Sequence, residues 1–327
     1  MIYRISKKFY QKVFNRLCFD YGDYRQSIFL AGTGRSGTTW LAEILNYDNS
    51  YRFIFEPFHS YKVDLIKDWN YRQYLRRNNH VTKFMNPANT ILSGNIKQQW
   101  IDQYNHKLVA RKRIIKDIRA NLLLNWIKKN FPEIPIILLL RHPCAVASSK
   151  LKLGWDSHLS DFLKQEELMD DFLSPFKEEI KNVIDVFEKH IFMWCIENYI
   201  PLRQFNKGEI LVVFYESLCK NPEKEVGRIF SFLGKNVSLN ILQIASKPSK
   251  LSRKDSAVVS GDNPLNLWRK YITKKQIIRA LEILSIFDLN TVYVYDDLPL
   301  LCGENVLNEF KKTYKSTASK CYFAKQV

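Results

Sequence analysis

The sequence predicts an α/β fold, a mostly parallel sheet flanked by helices, and three observations carry that reading. Strand-length apolar runs alternate with longer stretches of helical periodicity along most of the 327 residues. Two of the runs, Ile28–Ala31 and Ile136–Leu140, are apolar at every position, as strands covered on both faces must be. The first of them turns into a helical pattern through a loop holding Gly32, Gly34 and Gly37.

Taken in order, strands are expected at 27–31, 52–56, 113–117, 135–140 and 209–214. The first ends at Gly32, the second at Glu56-Pro57, and the third is Ile114-Ile115-Lys116-Asp117. The fourth runs into Arg141, and the fifth carries Val212-Val213-Phe214. Helices are expected at 38–46, 119–130, 143–153, 177–200 and 222–233. The first restarts the apolar pattern at Trp40, while the third and fifth open on Pro143 and Pro222, a residue suited to the first helical turn. Right-handed crossovers bring the carboxyl ends of parallel strands to one edge. Gly32, Glu56, Lys116 and Arg141 therefore converge where open α/β sheets bind ligands.

The loop after the first strand is P-loop-like. Its glycines let the backbone approach a ligand closely, and the amide groups and dipole of the following helix favour an anion. Gly32 and Gly37 have the spacing of a nucleotide triphosphatase loop, but Thr38 stands where its lysine belongs, which argues against an ATPase or GTPase. Gly32, Gly34 and Gly37 also match the dinucleotide pattern Gly-x-Gly-x-x-Gly, with Glu56 near the distance of a ribose-binding acid. An NAD(P)-dependent oxidoreductase is the alternative that this pattern supports.

Composition narrows the partners. With 50 Lys and Arg against 33 Asp and Glu, the net charge is +17, which favours an anionic nucleotide, an acidic glycan, a membrane surface or nucleic acid. No helix-turn-helix, zinc-finger spacing or RNP-like string supports nucleic acid. The six cysteines are scattered, without metal-ligand spacing, so neither zinc nor another metal is expected. No signal-peptide pattern and no bilayer-length apolar run is present, which reads as cytoplasmic.

In residues 1–20, Ile2, Ile5, Phe9, Val13 and Leu17 recur at helical spacing among Arg4, Lys7, Lys8, Lys12 and Arg16. Such a basic amphipathic stretch either lies on an anionic membrane or packs its apolar stripe on the domain. Residues 58–113 form a helical and loop insertion with eight aromatics and eleven Lys or Arg against three Asp. Arg72, Arg76, Arg77 and Lys83 there suit an acidic acceptor, the other reading being a small cap with a solvated face. The boundaries are thus a basic segment 1–26, a catalytic domain 27–303 containing that insertion, and a lysine-rich tail 304–327.

The string Gly34-Arg35-Ser36-Gly37-Thr38-Thr39-Trp40-Leu41 resembles the 5′-phosphosulfate loop of sulfotransferases that use 3′-phosphoadenosine-5′-phosphosulfate (PAPS), with the arginine of the carbohydrate and bacterial branch. Arg141 followed eight residues later by Ser149 is similar to the family's 3′-phosphate motif, and Val212–Leu218 with Asn221-Pro222-Glu223 to its following strand and helix. One departure is His142, where many relatives carry Asp or Asn. The resemblance covers roughly residues 27–290.

It implies transfer of a sulfuryl group to the hydroxyl of a carbohydrate or glycolipid, with PAP as product. Gly34, Arg35, Ser36, Gly37, Thr38 and Thr39 would cradle the phosphosulfate, Arg35 stabilising the charge that develops in transfer. Arg141 and Ser149 would hold the 3′-phosphate. Ser252 and Arg253, with Trp268 beyond, resemble the loop that closes over the nucleotide. Phe55-Glu56-Pro57-Phe58-His59 is similar to the family's Glu-Pro segment, which makes Glu56 the expected base and His59 the reserve. Lys116 would add charge at the leaving group or serve as an ion-paired lysine.

Overall fold

A computed structural model describes residues 18–237, 241 and 263–312. Its centre is a five-stranded, wholly parallel sheet built from β2 (Ser27–Gly32), β3 (Arg52–Phe55), β5 (Arg113–Asp117), β6 (Ile136–Leu140) and β7 (Leu211–Phe214), in the spatial order β3-β5-β2-β6-β7. A two-residue parallel ribbon, β1 (Phe19–Asp20) with β4 (Val109–Ala110), lies outside it. The five expected strands are all present, ending within two residues of their expected bounds.

Side-chain alternation explains why these runs are apolar throughout. Along β2, Phe29 and Ala31 enter the core on one face while Ile28 and Leu30 enter the core on the other. Along β6, Ile136, Leu138 and Leu140 take the first face and Ile137 and Leu139 the second. A strand covered on both sides has no position for a polar residue, and each large side chain so buried stabilises the fold by about 1.5–3 kcal/mol.

Among the described residues the α-helices of five or more residues are α1 (Thr38–Leu45), α2 (Thr82–Leu92), α3 (Leu124–Asn130), α4 (Pro143–Lys152), α5 (Lys177–Lys181), α6 (Val186–Gln204), α7 (Tyr215–Lys220), α8 (Pro222–Phe232) and α9 (Lys274–Ile286). The smaller core takes Leu41, Ala42, Ile44 and Leu45 of α1 and Val226, Ile229 and Phe230 of α8. The larger core takes α3, α4, α6 and α9.

Two expected helices change form. The stretch 177–200 breaks at 182–185, where Asp185 accepts a hydrogen bond from Glu188 N and starts a new helix that runs to Gln204. The stretch 119–130 begins as a 3-10 turn at Asn121–Leu123 and becomes α-helical at Leu124. Helices α7 and α9 fall outside the expected ranges, and α2 lies in the insertion expected to be helical and loop. The insertion 58–113 is mostly turns around α2, and its Phe58, Val63, Ile66, Trp69, Tyr74 and Leu75 belong to the larger core.

At the amino-terminal ends of the strands, Arg52 and Arg113 are fully buried. Arg52 Nε donates to Asp102 Oδ1 at 2.9 Å, and both arginines bond Asp20. Buried charges need such complete pairing, and here it fastens the outer ribbon to the sheet. Among the described residues no helix is long and apolar enough to cross a membrane.

Candidate active site

Each strand of the sheet delivers a chemically distinct group at its carboxyl end. Glu56 follows β3, Lys116 and Asp117 end β5, the glycine loop follows β2, Arg141 follows β6 and Tyr215 follows β7. Adjacent strands stand about 4.8 Å apart, so β3 and β6, three steps apart, set the ends of a site roughly 14 Å wide.

The loop after β2 is shaped for an anion. Gly37, the N-cap of α1, has φ 98° and no side-chain cap, which leaves the first amides of the helix without a side-chain acceptor. Ser36 N bonds Thr33 O at 3.0 Å, while the Ser36 hydroxyl is buried with no hydrogen-bond partner. Arg35 is held at φ 77°, a costly conformation for a residue with a Cβ. A Cβ on Gly37 would lie 2.6 Å from the Tyr215 ring, and one on Gly34 would lie 3.0 Å from Trp155, so neither glycine is replaceable without displacing a ring.

The two arginines expected to hold opposite ends of a nucleotide stand side by side. Arg35 Nε donates to Ser149 Oγ at 2.9 Å, and Arg141 Nη1 donates to Arg35 O at 3.2 Å. Arg35 thus links Ser149, through its side chain, to Arg141, through its carbonyl, at the carboxyl ends of β2 and β6. The Arg141 guanidinium lies flat over Tyr215, 4.1 Å from the ring centroid, and its own carbonyl accepts from Trp194 Nε1. Stacking of this kind fixes a cation, and Arg141 Nη2 also donates to Pro264 O at 3.3 Å, so the guanidinium is held by two backbone carbonyls as well as by the ring.

His142 performs the capping work of the Asp or Asn it replaces. Its Nδ1 accepts from Cys144 N at 3.2 Å, which requires the proton on Nε2, facing Val294 O at 3.4 Å. Burial, with Arg269 and Arg141 nearby, pushes its pKa down to about 3, so the ring is neutral and keeps that tautomer. Trp268 stacks on this imidazole at 4.6 Å, which makes it a support of the turn. Ser252 and Arg253 lie outside the described residues, as do residues 1–17 and 313–327 of the two terminal segments.

On the acceptor side, Glu56 is buried between two cations. Lys116 Nζ reaches Oε1 at 2.5 Å and Arg119 Nη1 reaches Oε2 at 2.6 Å. Burial raises the carboxyl pKa, but Lys116 and Arg119 together outweigh it and hold Glu56 below the ordinary carboxylate range. Lys116 is lowered by burial in spite of Glu56, with which it is ion-paired. Glu56 leaves its strand at φ 44°, with its carbonyl bonded by Trp100 Nε1.

His59 lies nearby, edge-on to Trp100 at 5.4 Å, with Nδ1 buried and unpartnered. Burial, then the charge of Arg119, lowers its pKa to about 3. Asp117, buried next to Glu56, rises to about 6 while accepting from Phe58 N and Arg119 N.

The cations of the insertion are less available than expected. Arg72 is committed to Glu197 and Arg76 to Asp171, so these two serve carboxylates of the same chain. Lys83 lies over Phe84, 5.0 Å from the ring centroid.

The sequence reading also missed residues. Arg119 and Tyr215 were given no role, although each follows a parallel strand at its carboxyl end, and that position was the signal available. Tyr71, whose hydroxyl bonds Arg119 Nε at 2.6 Å, carried no such signal.

Three solved structures are similar at low identity. The sulfotransferase domain of the Synechococcus PCC 7002 olefin synthase is 18% identical, with 80% of this chain and 94% of that one covered and a TM-score of 0.47. For sulfotransferase STF9 from Mycobacterium avium the values are 11%, 81% and 76%, and 0.45. For mouse sulfotransferase SULT7A1 complexed with PAP they are 17%, 82% and 86%, and 0.43. No curated protein matches the chain. The family model described as the sulfotransferase domain matches residues 25–260. With that match over more than half of its length, on a parallel sheet with a glycine loop after the central strand, the chain belongs to the sulfotransferase family.

Proposed function

We infer that the chain transfers a sulfuryl group from PAPS to a hydroxyl of a carbohydrate or glycolipid, with Glu56 on the acceptor side as the base. The observation that carries this reading is the run of contacts from Ser149 through Arg35 to Arg141 at the carboxyl edge of adjacent strands. The orphaned Ser36 hydroxyl, the uncapped start of α1 and two cations fit the anionic groups of that nucleotide.

Three tasks fall to the protein. Arg141, braced on Tyr215, and Ser149 hold the 3′-phosphate. The loop amides of 34–39 seat the 5′-phosphosulfate, and Arg35 exchanges its serine partner for the oxygen that gains charge as the sulfur–oxygen bond breaks. Glu56 accepts the proton of the attacking hydroxyl. Its two cations keep it ionised but weaken it as a base, which suits a displacement in which proton transfer follows bond breaking. The neutral His59 is the second acceptor within the same cluster.

Incubation with radiolabelled PAPS and a lysate of the host organism tests the acceptor class. Label is expected in a glycan or glycolipid fraction. Label confined to small non-carbohydrate alcohols would overturn that part of the reading while leaving sulfuryl transfer intact. The oxidoreductase alternative loses its basis, because the contacts joining Arg35, Ser149 and Arg141 have no function in hydride transfer.

A further inference from the structure

Backbone strain gathers around one place. Among the described residues six non-glycine positions have positive φ, and four of them, Arg35, Glu56, Arg72 and His158, lie in or beside the candidate site. Backbone of this kind is costly and collects where a ligand is held. Arg35 belongs to the glycine loop and Glu56 is the expected base. The other two flank a stack of rings. Tyr61 lies parallel on Tyr71, with 4.9 Å between centroids and 7° between planes. Arg72 is 4.6 Å from the Tyr71 centroid and His158 4.8 Å.

The inner ring of this stack is tied to the base. Tyr71 is buried, its hydroxyl accepts from Arg119 Nε at 2.6 Å, and Arg119 pairs with Glu56. The outer ring is open. Tyr71 covers one face of Tyr61, yet Tyr61 is 64% exposed, so its other face meets water. His59 lies 6.1 Å from it. The segment after α4 completes the row. Trp155, partly exposed, packs on the glycine loop, where a Cβ on Gly34 would lie 3.0 Å from its ring. Three residues on, His158 approaches Tyr61 at 6.4 Å. Its Nδ1 faces Asp161 Oδ2 at 3.5 Å, which leaves Nε2 for a ligand. The row thus runs from the glycine loop to the surroundings of Glu56, the span an attacking hydroxyl must enter.

We propose that the open face of Tyr61, edged by His158, seats a neutral pyranose ring of the acceptor and so presents one of its hydroxyls to Glu56. This rests on the carbohydrate reading of the transfer and names the side chains that read the sugar. A pyranose has an apolar C–H face and a rim of hydroxyls. A flat exposed ring beside a hydrogen-bonding imidazole matches both. Tyr61 is already held by Tyr71, so little freedom is lost when a ligand stacks on it. No acidic sugar is called for, because Arg72 and Arg119, the cations against the stack, are taken by Glu197 and Glu56.

Saturation-transfer NMR of the full chain with PAP tests it, using the methyl pyranosides of glucose, galactose and mannose as probes and cyclohexanol as control. Ring protons of at least one pyranoside are expected to take up saturation, and those of cyclohexanol are not. Tyr61→Ala should weaken pyranoside binding about fivefold or more, while Tyr61→Phe keeps it. Tyr61→Leu, which preserves apolar bulk over Tyr71, should lose it as well and serves if the alanine variant misfolds. PAP affinity, measured by calorimetry in parallel, should be the same in all three variants. Absence of pyranoside binding, equal uptake by cyclohexanol, or wild-type binding by folded Tyr61→Ala or Tyr61→Leu would overturn the proposal. Failure of the transfer reading looks different: PAP would not bind, while a pyranoside would still require the Tyr61 ring.

Discussion

At the scale of single residues, Glu56 shows why the effect of a mutation needs two readouts. Glu56→Gln removes the expected base, an effect of about 10²–10⁴ in rate. It also leaves Lys116 and Arg119 buried without their carboxylate, a loss of about 3–5 kcal/mol in stability. Measured together, turnover should fall while PAP affinity in the still-folded fraction is kept; unchanged turnover would move the base to His59. The depressed pKa fixes a sign as well. Stability from the Glu56 pairs is present above the unfolded carboxylate pKa and lost only as pH falls through the lower folded value.

Lys150 gives a slope of the same sign in a different pH window, and from a burial penalty instead of a pairing. It is fully buried with Nζ unpartnered, and burial lowers its pKa to about 7 despite the nearby Glu197. The unfolded state binds more protons between that value and the ordinary lysine pKa, so this group makes stability rise with pH through that window. Lys150→Met should flatten the rise in melting temperature and raise stability at neutral pH; a steeper dependence would contradict the assignment. None of this was legible in the sequence, since Lys150 differs from a surface lysine only in what folds over it.

At the scale of elements, legibility followed burial. β2 and β6 read correctly because they are sandwiched between two cores and have no choice but to be apolar throughout. The stretch 177–200 misled because apolar spacing persists across 182–185, while the break depends on the local cap at Asp185. Loop 32–37 was legible in its glycines, but the side chains that use their space, Tyr215 and Trp155, come from distant segments. Gly37→Ala therefore tests an element-level coupling. The strained φ and the displaced Tyr215 ring should disturb the support of Arg141 and weaken PAP binding about tenfold or more. Calorimetric titration reads it, and unaltered affinity would show that the ring yields without moving the arginine.

At the scale of the whole molecule, two ends of one sheet carry different duties. The amino ends hold buried ion pairs and the ribbon, and the carboxyl ends hold the glycine loop, Glu56, Lys116 and Arg141. The convergence of Gly32, Glu56, Lys116 and Arg141 on one edge was deduced from parallel strands and right-handed crossovers alone. What topology did not reveal was that Arg35 and Arg141 abut, because a side chain's reach is settled by packing. The central claim is that the linked Arg35, Ser149 and Arg141 recognise a nucleotide phosphorylated at both its 3′ and 5′ positions. Its most direct test is titration of the protein with PAP and with adenosine 5′-phosphate, in wild type and in Arg141→Ala. Tighter binding of PAP by wild type, about a hundredfold for charge-assisted contacts worth about 1.5–3 kcal/mol each, should collapse to near equality in the variant. Equal affinity of wild type for the two nucleotides would contradict it.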